Sequence, residues 1–385
     1  MRTAGIDPGT YSMDVCAIEN GVVCYEQAIP TPEIARKPEV IIEAIEAAFP
    51  LKLIAAPSGY GVEITKASEI ELERFKDWYY NYILLTTREE IESAVKQGIF
   101  GALVYYAMTE STFIMRKRGF PIVFIPGVIN LTTVPSHRKI NKLDMGTADK
   151  MSVSILGVYD QARRLNIPYS EVSFILVEMG FGYNAIIGVD RGRIVDGIGG
   201  TTIPSPGFLT AGCIDLELAQ IVSKWEKADV FTGGAALISG KATPEELASC
   251  LDEERCKLAW EAMMEGVEKA VASLLVSIPK PREILTSGRI TRIKRVKTEL
   301  IERLNKYAEV RELGYLEGAK ITKETAQGYA MLADGLAGGK FQGLVDYMRI
   351  KEARGACIDH IYHPAFSRVK QKFVPFKLRK REGRD

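Results

Sequence analysis

The chain has 385 residues and carries 50 Lys and Arg against 49 Asp and Glu, a formal net charge of +1. This length predicts two or three domains. The balanced charge argues against nucleic-acid binding, which needs a basic surface, and no apolar run approaches the ~20 residues that span a bilayer. The six cysteines are scattered without a CxxC pair, which predicts reduced thiols in a cytoplasmic protein.

Helical and strand-like segments alternate along the chain, which predicts an α/β protein. The chain opens with a strand, a turn at Asp7-Pro8-Gly9-Thr10 and a hairpin whose two-residue turn is Asn20-Gly21. A strand at 174–177 followed by another glycine-containing turn opens the second half in the same way. Further strands are predicted at 51–56, 121–126 and 283–286, and helices at 38–48, 149–165, 214–225, 244–248, 254–276 and 292–307.

One short pattern occurs twice. When Asp7 is placed on Glu178 without gaps, Gly9 falls on Gly180, and the hairpin glycine of the first half falls on Gly192. Each copy thus has a carboxylate, a glycine two residues later and a hairpin glycine further on. This spacing predicts a duplicated β-hairpin domain.

The repeat suggests a chemistry. Two facing glycine turns can clamp a polyphosphate, because glycine lets the backbone approach closely and the turn N–H groups donate to phosphate oxygens. A carboxylate at each turn would be repelled by phosphate unless it held Mg²⁺ or oriented a nucleophile. We therefore interpret Asp7 and Glu178 as a metal-and-water pair across a nucleotide cleft. The alternative for Asp7-Pro8-Gly9 is a turn with no further role, since all three residues favour turns.

The motifs resemble those of a known superfamily. Residues 7–12 are similar to the first phosphate motif of the acetate and sugar kinase, heat-shock chaperone and actin superfamily, and 174–182 to its second. The segment 180–212, with Gly-x-Gly, Gly-Arg-Ile-Val-Asp and a Gly/Pro/Ser-rich loop, resembles the acetate and butyrate kinase branch. Residues 284–290 are similar to the adenosine motif of that branch. Over 1–360, the chain resembles an archaeal family of predicted butyrate kinases.

This resemblance implies an α/β fold of two ribonuclease-H-like, actin-like ATPase domains with a nucleotide cleft between them. The domains would be 1–165 and 166–364, and 365–385 would be a basic tail. ATP and Mg²⁺ would act in the cleft, and the activity would be phosphorylation of a small, butyrate-like carboxylate to an acyl phosphate. A homodimer is expected by resemblance, without membrane or nucleic-acid partners.

The candidate site combines the repeat with the resemblance. Asp7, Asp149 and Glu178 are the candidate catalytic residues, and Asp7 and Glu178 would hold Mg²⁺ directly or through water. An alternative for Asp149 is a helix N-terminal residue stabilised by the helix dipole. Candidate binding residues are Gly9, Thr10, Ser12, Gly180 and Gly182 for the phosphates, Ser287, Gly288 and Arg289 for adenosine, and Ser58, Gly59, Asn130, Gly146 and Thr147 for the substrate.

The chain departs from the acetate kinase pattern in three places. The arginine of those enzymes is missing from 55–59, an aspartate is missing from 126–130, and both histidines are missing from 145–149. A carboxylate substrate is already ionised and needs no general base. The arginine matters more, because charge builds on the transferring phosphoryl group. Its candidate replacements, among which the sequence does not choose, are Lys66, Arg138, Lys142 and Lys150.

Two other functions compete with the acyl kinase. The missing arginine favours an actin-like ATPase that uses nucleotide to act on a protein partner, without acyl kinase activity. A ribonuclease-H-like nuclease would use Asp7, Asp14 and Glu178, but the neutral charge and the glycine turns argue against it, since a nuclease needs a basic groove.

Overall fold

Two mixed β-sheets organise the chain in the computed structural model, which describes residues 1–371 and 373. Most of the predicted basic tail, 365–385, lies outside the described residues. The first sheet has the strand order β3-β2-β1-β4-β6-β5 and the second β11-β10-β7-β8-β9. The strands are β1 Arg2–Pro8, β2 Ser12–Glu19, β3 Val22–Pro30, β4 Ile54–Ala55, β5 Thr65–Lys66, β6 Ile122–Phe124, β7 Phe174–Met179, β8 Asn184–Asp190, β9 Arg193–Gly199, β10 Glu283–Ser287 and β11 Glu309–Glu312.

The two sheets repeat one topology. In each, three antiparallel strands joined by hairpins are followed by two parallel strands, β4 and β6 in the first sheet and β10 and β11 in the second. The second hairpin of each sheet shifts register, between Ala17 and Ile18 in one and between Gly188 and Val189 in the other. These shifts are separated by the same offset as Asp7 and Glu178. The predicted duplication is confirmed.

The hairpin turns are also equivalent. Asn20 and Gly21 have φ of 52° and 79°, and Arg191 and Gly192 have φ of 48° and 67°. Positive φ at both central residues defines a type I′ turn, whose twist matches that of the flanking strands. Glycine and asparagine adopt the left-handed conformation at little cost in free energy. This is why Asn20, Gly21 and Gly192 allowed the hairpin turns to be predicted from the sequence.

Helices cover both faces of the sheets. The predicted helix at 149–165 is confirmed as α7, whereas the one at 292–307 is shorter at both ends. The helices are α1 Thr31–Arg36, α2 Glu39–Ala47, α3 Phe75–Trp78, α4 Arg88–Lys96, α5 Phe100–Lys117, α6 Ser136–Lys139, α7 Ala148–Leu165, α8 Leu216–Val222, α9 Ala235–Ser239, α10 Pro244–Ser249, α11 Glu254–Leu274, α12 Lys294–Leu304, α13 Glu324–Leu336, α14 Gln342–Tyr347 and α15 Ser367–Lys370.

Each half of the chain sends its last long helix to the sheet of the other half. Helix α7 packs against β7 and β8, whereas α13 packs against β1, β2 and β4. The two helices also pack against each other, so one apolar core runs continuously from the first sheet to one face of the second. A separate core joins the other face of the second sheet to α11 and α12. The domain boundaries at 1–165 and 166–364 stay predictions.

The cysteines differ from expectation. Cys250 and Cys256 form a disulfide, with Cα atoms 5.8 Å apart, so the expectation of reduced thiols is wrong for this pair. Cys250 caps the end of α10 and Cys256 lies in the first turn of α11, so the turn between the helices brings them together. The other four cysteines are free thiols. No helix among the described residues has both the length and the apolar character needed to cross a membrane.

The contact between α7 and α13 depends on Gly328. A Cβ placed there would lie 2.5 Å from the carbonyl carbon of Ser152 and 2.9 Å from the backbone nitrogen of Val153. We expect Gly328→Ala to lower the free energy of unfolding by about 1–3 kcal/mol, the usual cost of overpacking, as measured by chemical denaturation.

Gly343→Ala is the matched control, because a Cβ at this position of α14 meets nothing within 4 Å. It should leave stability unchanged or raise it by up to about 1 kcal/mol, since alanine is the better helix former. Equal losses in the two variants would show that the close approach of α7 and α13 is not a constraint.

Candidate functional site

A cavity of about 400 Å³ opens where the turn after β1 faces the turn after β7. The turns meet directly. A Cβ on Gly182 would lie 2.6 Å from Oγ1 of Thr10, and the rings of Tyr11 and Phe181 are 5.7 Å apart. The start of α7 and the residues around the start of α13 also line the cavity. The predicted pair of facing turns therefore borders one cavity.

The first turn carries a buried cluster around Lys323. Its Nζ lies 2.7 Å from Oδ2 of Asp7 and 3.6 Å from Oδ1 of Asp14. The Lys323 backbone N–H also donates to Asp14, as does the hydroxyl of Ser12 at 2.8 Å. Burial raises the pKa of Asp14, against the opposing effect of Lys323. Burial alone would lower the pKa of Lys323, but the two carboxylates outweigh it and the pKa is raised.

The second turn carries the corresponding cluster around Lys150. Its Nζ lies 2.6 Å from Oε2 of Glu178 and 2.9 Å from Oδ2 of Asp149, which also accepts a hydrogen bond from the Thr147 hydroxyl. Burial raises the pKa of Glu178 to about 7, although Lys150 opposes this. Burial alone would also raise the pKa of Asp149, but Lys150 and Thr147 outweigh it and the pKa is lowered.

The two lysines are placed by the helix exchange. Lys150 is the third residue of α7 and pairs with the carboxylate of the second turn, whereas Lys323 caps α13 and pairs with the carboxylate of the first. Each turn therefore meets an ammonium group from the opposite half of the chain.

Each ammonium group also faces a turn glycine. A Cβ on Gly9 would collide with Nζ of Lys323, and a Cβ on Gly180 would lie 3.6 Å from Nζ of Lys150. Both glycines keep the backbone open towards the cavity at the point where a cation is held. The Gly180 N–H itself donates to the Tyr183 carbonyl at 2.9 Å, so at this turn the groups suited to a phosphate are the other backbone N–H groups and the Lys150 ammonium group.

The carboxylates fit a divalent cation that keeps water ligands. Asp7, Asp14, Asp149 and Glu178 give four negative charges against the two lysines, a net charge of −2 when all six groups are ionised. Carboxylate oxygens are the ligands that Mg²⁺ prefers, with water and phosphate completing its octahedron. Among the described residues, no three of these carboxylates bring oxygens within 4.8 Å of one another. This arrangement therefore suits a Mg²⁺ ion that is bound partly by a polyphosphate and water. It suits an ion surrounded only by protein ligands less well.

One side of the cavity carries arginine. The guanidinium of Arg289 lies 3.8 Å from the centroid of the Tyr11 ring, and Arg292 pairs with Glu324 at 3.2 Å. Both arginines follow the Gly288 turn at the end of β10 and line the cavity. A flat cation stacked on an aromatic ring gives this side the means to bind a planar or anionic group.

Another part of the wall is apolar and aromatic. Its residues come from the turn before β8, from α5 and from the loops around residues 60, 84 and 231. They are Tyr60, Leu84, Val104, Tyr105, Met108, Tyr183 and Phe231.

The sequence profile of DUF1464, a family of proteins of unknown function, matches residues 5–363. The chain belongs to DUF1464. No curated protein matches it.

Solved structures of two kinds of kinase have the same fold. They include a propionate kinase from Francisella tularensis (13% identity, TM-score 0.54, 86% of this chain and 98% of that one) and an acetate kinase from Porphyromonas gingivalis (13%, 0.53, 86% and 98%). An acetate kinase from Entamoeba histolytica is 11% identical, with a TM-score of 0.52 over 79% of this chain and 86% of that one. These likenesses confirm the predicted fold of two ribonuclease-H-like, actin-like ATPase domains. At such identities they show the fold alone.

Within this DUF1464 protein, most of the predicted site residues share the cavity. The residues that line it are Asp7, Gly9, Thr10, Ser12, Gly59, Thr147, Asp149, Glu178, Gly180, Gly182, Gly288 and Arg289. Of the four candidates for the missing cation, Lys150 lines the cavity and the other three do not. Arg138, for example, donates to the carbonyl of Val195 instead.

Four of the predicted site residues do not line the cavity: Ser58, Asn130, Gly146 and Ser287. Ser58 donates to the Ala56 carbonyl at 2.7 Å and accepts from the N–H of Ile125. Asn130 accepts from the N–H of Gly127 and donates to the Gly355 carbonyl, both at 2.9 Å.

The Gly146 carbonyl accepts a hydrogen bond from the Val128 N–H at 2.9 Å, and the Gly146 N–H donates to the Asp144 carboxylate. Ser287 is the last residue of β10 and is buried.

Sequence reasoning missed several residues of the cavity. Lys323 and Glu324 lie far along the chain from the first glycine turn, and the packing of α13 on the first sheet brings them there. Arg292 reaches the cavity because it follows the end of β10, which pairs with β7. Lys323 precedes an apolar helix, so its sequence signal is that of an ordinary helix start. Asp144 lines the cavity beside Thr147, and burial raises its pKa to about 6.

The cluster around Lys150 makes a stability prediction. Lys150→Met leaves Glu178 and Asp149 without a cation in a buried place, which typically costs about 3–5 kcal/mol. The pKa of Glu178 is already raised in the folded protein, and loss of Lys150 raises it further. Such a group favours the folded state at low pH and loses that contribution as pH rises through the folded pKa. The free energy of unfolding that Lys150→Met loses should therefore be largest above pH 7 and should decrease towards pH 5.

Denaturation at several pH values measures this effect. Lys66→Met is the control, because Lys66 is exposed and does not line the cavity. A loss in Lys150→Met that is the same at pH 5 and pH 8 would contradict the assignment of Glu178 as a carboxylate neutralised by Lys150.

Proposed function

We propose that the protein is an ATP-dependent phosphotransferase that converts a small carboxylate, of about the size of butyrate, into an acyl phosphate. The observation that supports it best is the pair of glycine turns, each facing a buried ammonium group across one cleft of a kinase fold. Turn N–H groups and cations are what a triphosphate needs on both sides.

The proposal places ATP along the cleft. The phosphates would lie over 9–12 and 180–182, and the nucleoside would lie by Gly288 and Arg289, whose guanidinium faces Tyr11. Asp7 and Glu178 would hold Mg²⁺, directly or through water. When bound, this ion would neutralise part of the charge of the phosphates and of the transferring phosphoryl group.

The acceptor is already a nucleophile. One oxygen of the substrate carboxylate forms a bond to the γ-phosphorus while the bond from that phosphorus to the β,γ-bridging oxygen breaks, and ADP leaves with that electron pair. The acceptor carries no proton to be removed, so the missing histidines and aspartate are no obstacle.

The chain's own residues would stabilise the transferring group. Lys150 and Lys323 take the part of the missing arginine in this proposal. An ammonium group has three hydrogens, and Lys150 directs two of them to Asp149 and Glu178, which leaves one for a phosphate oxygen. Lys323 donates to Asp7 at 2.7 Å and to the Ser12 carbonyl at 3.2 Å, which also leaves one. Asp149 and Thr147 hold Lys150 in place, which makes Asp149 a positioning residue.

A second candidate is an ATPase that acts on a protein partner. One observation favours it. Among the described residues, the arginines of the cavity are Arg289 and Arg292, so the aromatic part of the wall carries none that could grip a carboxylate. In this case ATP would be hydrolysed without an acid acceptor.

Acyl phosphate trapping separates the two. Purified protein is incubated with Mg-ATP, hydroxylamine and carboxylic acids of two to six carbons, and hydroxamate and ADP are both measured. We expect hydroxamate that requires ATP and is lost in Asp7→Ala. ADP without hydroxamate from any acid would favour the ATPase.

Two lysine variants refine this test. Lys323→Met should lower the rate by at least about 10²-fold, the typical loss when one donor to a transition-state oxygen is removed. Lys66→Met, at an exposed position outside the cavity, should retain the wild-type rate. A fully active Lys323→Met would show that this lysine does not replace the arginine.

The pH dependence follows from Glu178. Its pKa of about 7 means that the carboxylate loses its charge, and with it its hold on Mg²⁺, as the pH falls below 7. We expect kcat/KM for Mg-ATP to fall about tenfold per pH unit on the acidic side.

Glu178→Gln tests the origin of this limb, because glutamine does not titrate. The residual activity of this variant should lose the limb or show it at lower pH, near the Asp144 pKa of about 6. An unchanged limb would assign it to another group.

A further inference from the structure

The aromatic part of the cavity adjoins the place proposed for the γ-phosphate. A Cβ on Gly182 would lie 3.4 Å from the Phe231 ring. That ring lies 5.0 Å from the ring of Tyr183 and 5.5 Å from that of Tyr105, measured between centroids. Under the proposed function, the carbon chain of the acid would extend from the phosphate into this part of the cavity.

A pocket for a plain alkanoic acid needs only apolar atoms, but this wall carries polar groups. Tyr60, Tyr105 and Tyr183 all line it, as does Asp144. Asp144 and Tyr183 are close together, since a Cβ on Gly200 would lie 2.5 Å from Oδ2 of one and 3.0 Å from the ring of the other. Asp144 accepts a hydrogen bond from the Gly146 N–H at 2.8 Å, but the buried Tyr183 hydroxyl has no hydrogen-bond partner among the described residues. An unpartnered buried polar group costs free energy, which a polar atom of a ligand in this wall would offset.

Tyr60 is the most polarised of these groups. The Lys227 ammonium, behind the wall, donates to its hydroxyl oxygen at 2.8 Å. No carboxylate of residues 1–371 or 373 lies within ion-pair distance of this ammonium group. The phenol therefore accepts a charged hydrogen bond, which strengthens it as a donor through its own hydrogen.

We propose that the acid substrate carries an oxygen atom at the end remote from its reacting carboxylate, as in a short hydroxy or oxo acid, and that the Tyr60 hydroxyl donates to it. This inference rests on the proposed function and names its substrate class. A second carboxylate fits less well, because Asp144 lies in the same wall and Glu90 accepts a hydrogen bond from the Lys227 backbone at 2.5 Å.

The test compares matched acids. Butyrate, 4-hydroxybutyrate, 4-oxopentanoate and succinate are assayed by hydroxamate trapping, and their binding is measured by calorimetric titration. A hydrogen bond from a polarised donor predicts at least about a tenfold preference in kcat/KM for the hydroxy or oxo acid over butyrate.

Variants assign the preference to the phenol. Tyr60→Phe removes only the hydroxyl, and Lys227→Met removes the group that polarises it. Both should reduce the ratio of kcat/KM for 4-hydroxybutyrate over butyrate to within about threefold. Tyr25→Phe is the control, because the Tyr25 hydroxyl lies on exposed β3, bonded to Gln27, and should keep the ratio.

The possible failures differ. Hydroxamate from butyrate at a rate equal to or above that from the oxygenated acids would overturn this inference and leave the acyl kinase standing. So would a preference that survives in Tyr60→Phe, and so would a preference for succinate. Neither hydroxamate nor binding with any acid would overturn the proposed function itself.

Discussion

The packing of α7 against α13 is the constraint on which the cavity depends. Each helix belongs to one half of the chain and lies on the sheet of the other, so the beginnings of both helices reach the glycine turns. The approach is close because Gly328 faces the backbone of Ser152. A larger residue at position 328 would push the two helices apart. Both Lys150 and Lys323 would then be displaced, since each lysine lies at the start of one of these helices.

Buried carboxylates explain why lysines are needed at those helix starts. Asp7 and Glu178 are 2% and 3% exposed, and an isolated ionised carboxylate in such a place is strongly destabilising. A lysine beside each removes most of that cost. Each of the two turns therefore needs a cation, and the start of an exchanged helix supplies it, from the third residue of α7 in one case and from the N-cap of α13 in the other. The same four groups then face a ligand, so the needs of folding and of binding are met by one arrangement.

The sequence predicted what local residues determine and missed what long-range packing determines. The repeated turns were legible because Asn20, Gly21 and Gly192 favour one turn type and lie a fixed distance from Asp7 and Glu178. Lys323 carried no such signal, because its partners are about 310 positions away along the chain. The strand β11 was missed for another reason: Glu309–Glu312 is a polar, largely exposed edge strand without an alternating apolar pattern. The disulfide was missed because Cys250 and Cys256 are not in a CxxC motif and are brought together by the turn between α10 and α11.

The charge of the cleft finally bears on what can bind there. Four carboxylates and two lysines leave an excess of negative charge in the cleft. A polyphosphate without a cation would therefore be repelled, even though the cleft offers glycine turns and ammonium groups. A divalent cation cancels that excess, and the spread of the carboxylates leaves room for its water and phosphate ligands. Lysine suits this arrangement better than the fixed fork of arginine, because its three hydrogens can be shared between carboxylate and phosphate. Under the proposed function, the two lysines and a divalent cation would together balance the charge of the four carboxylates and of a bound polyphosphate.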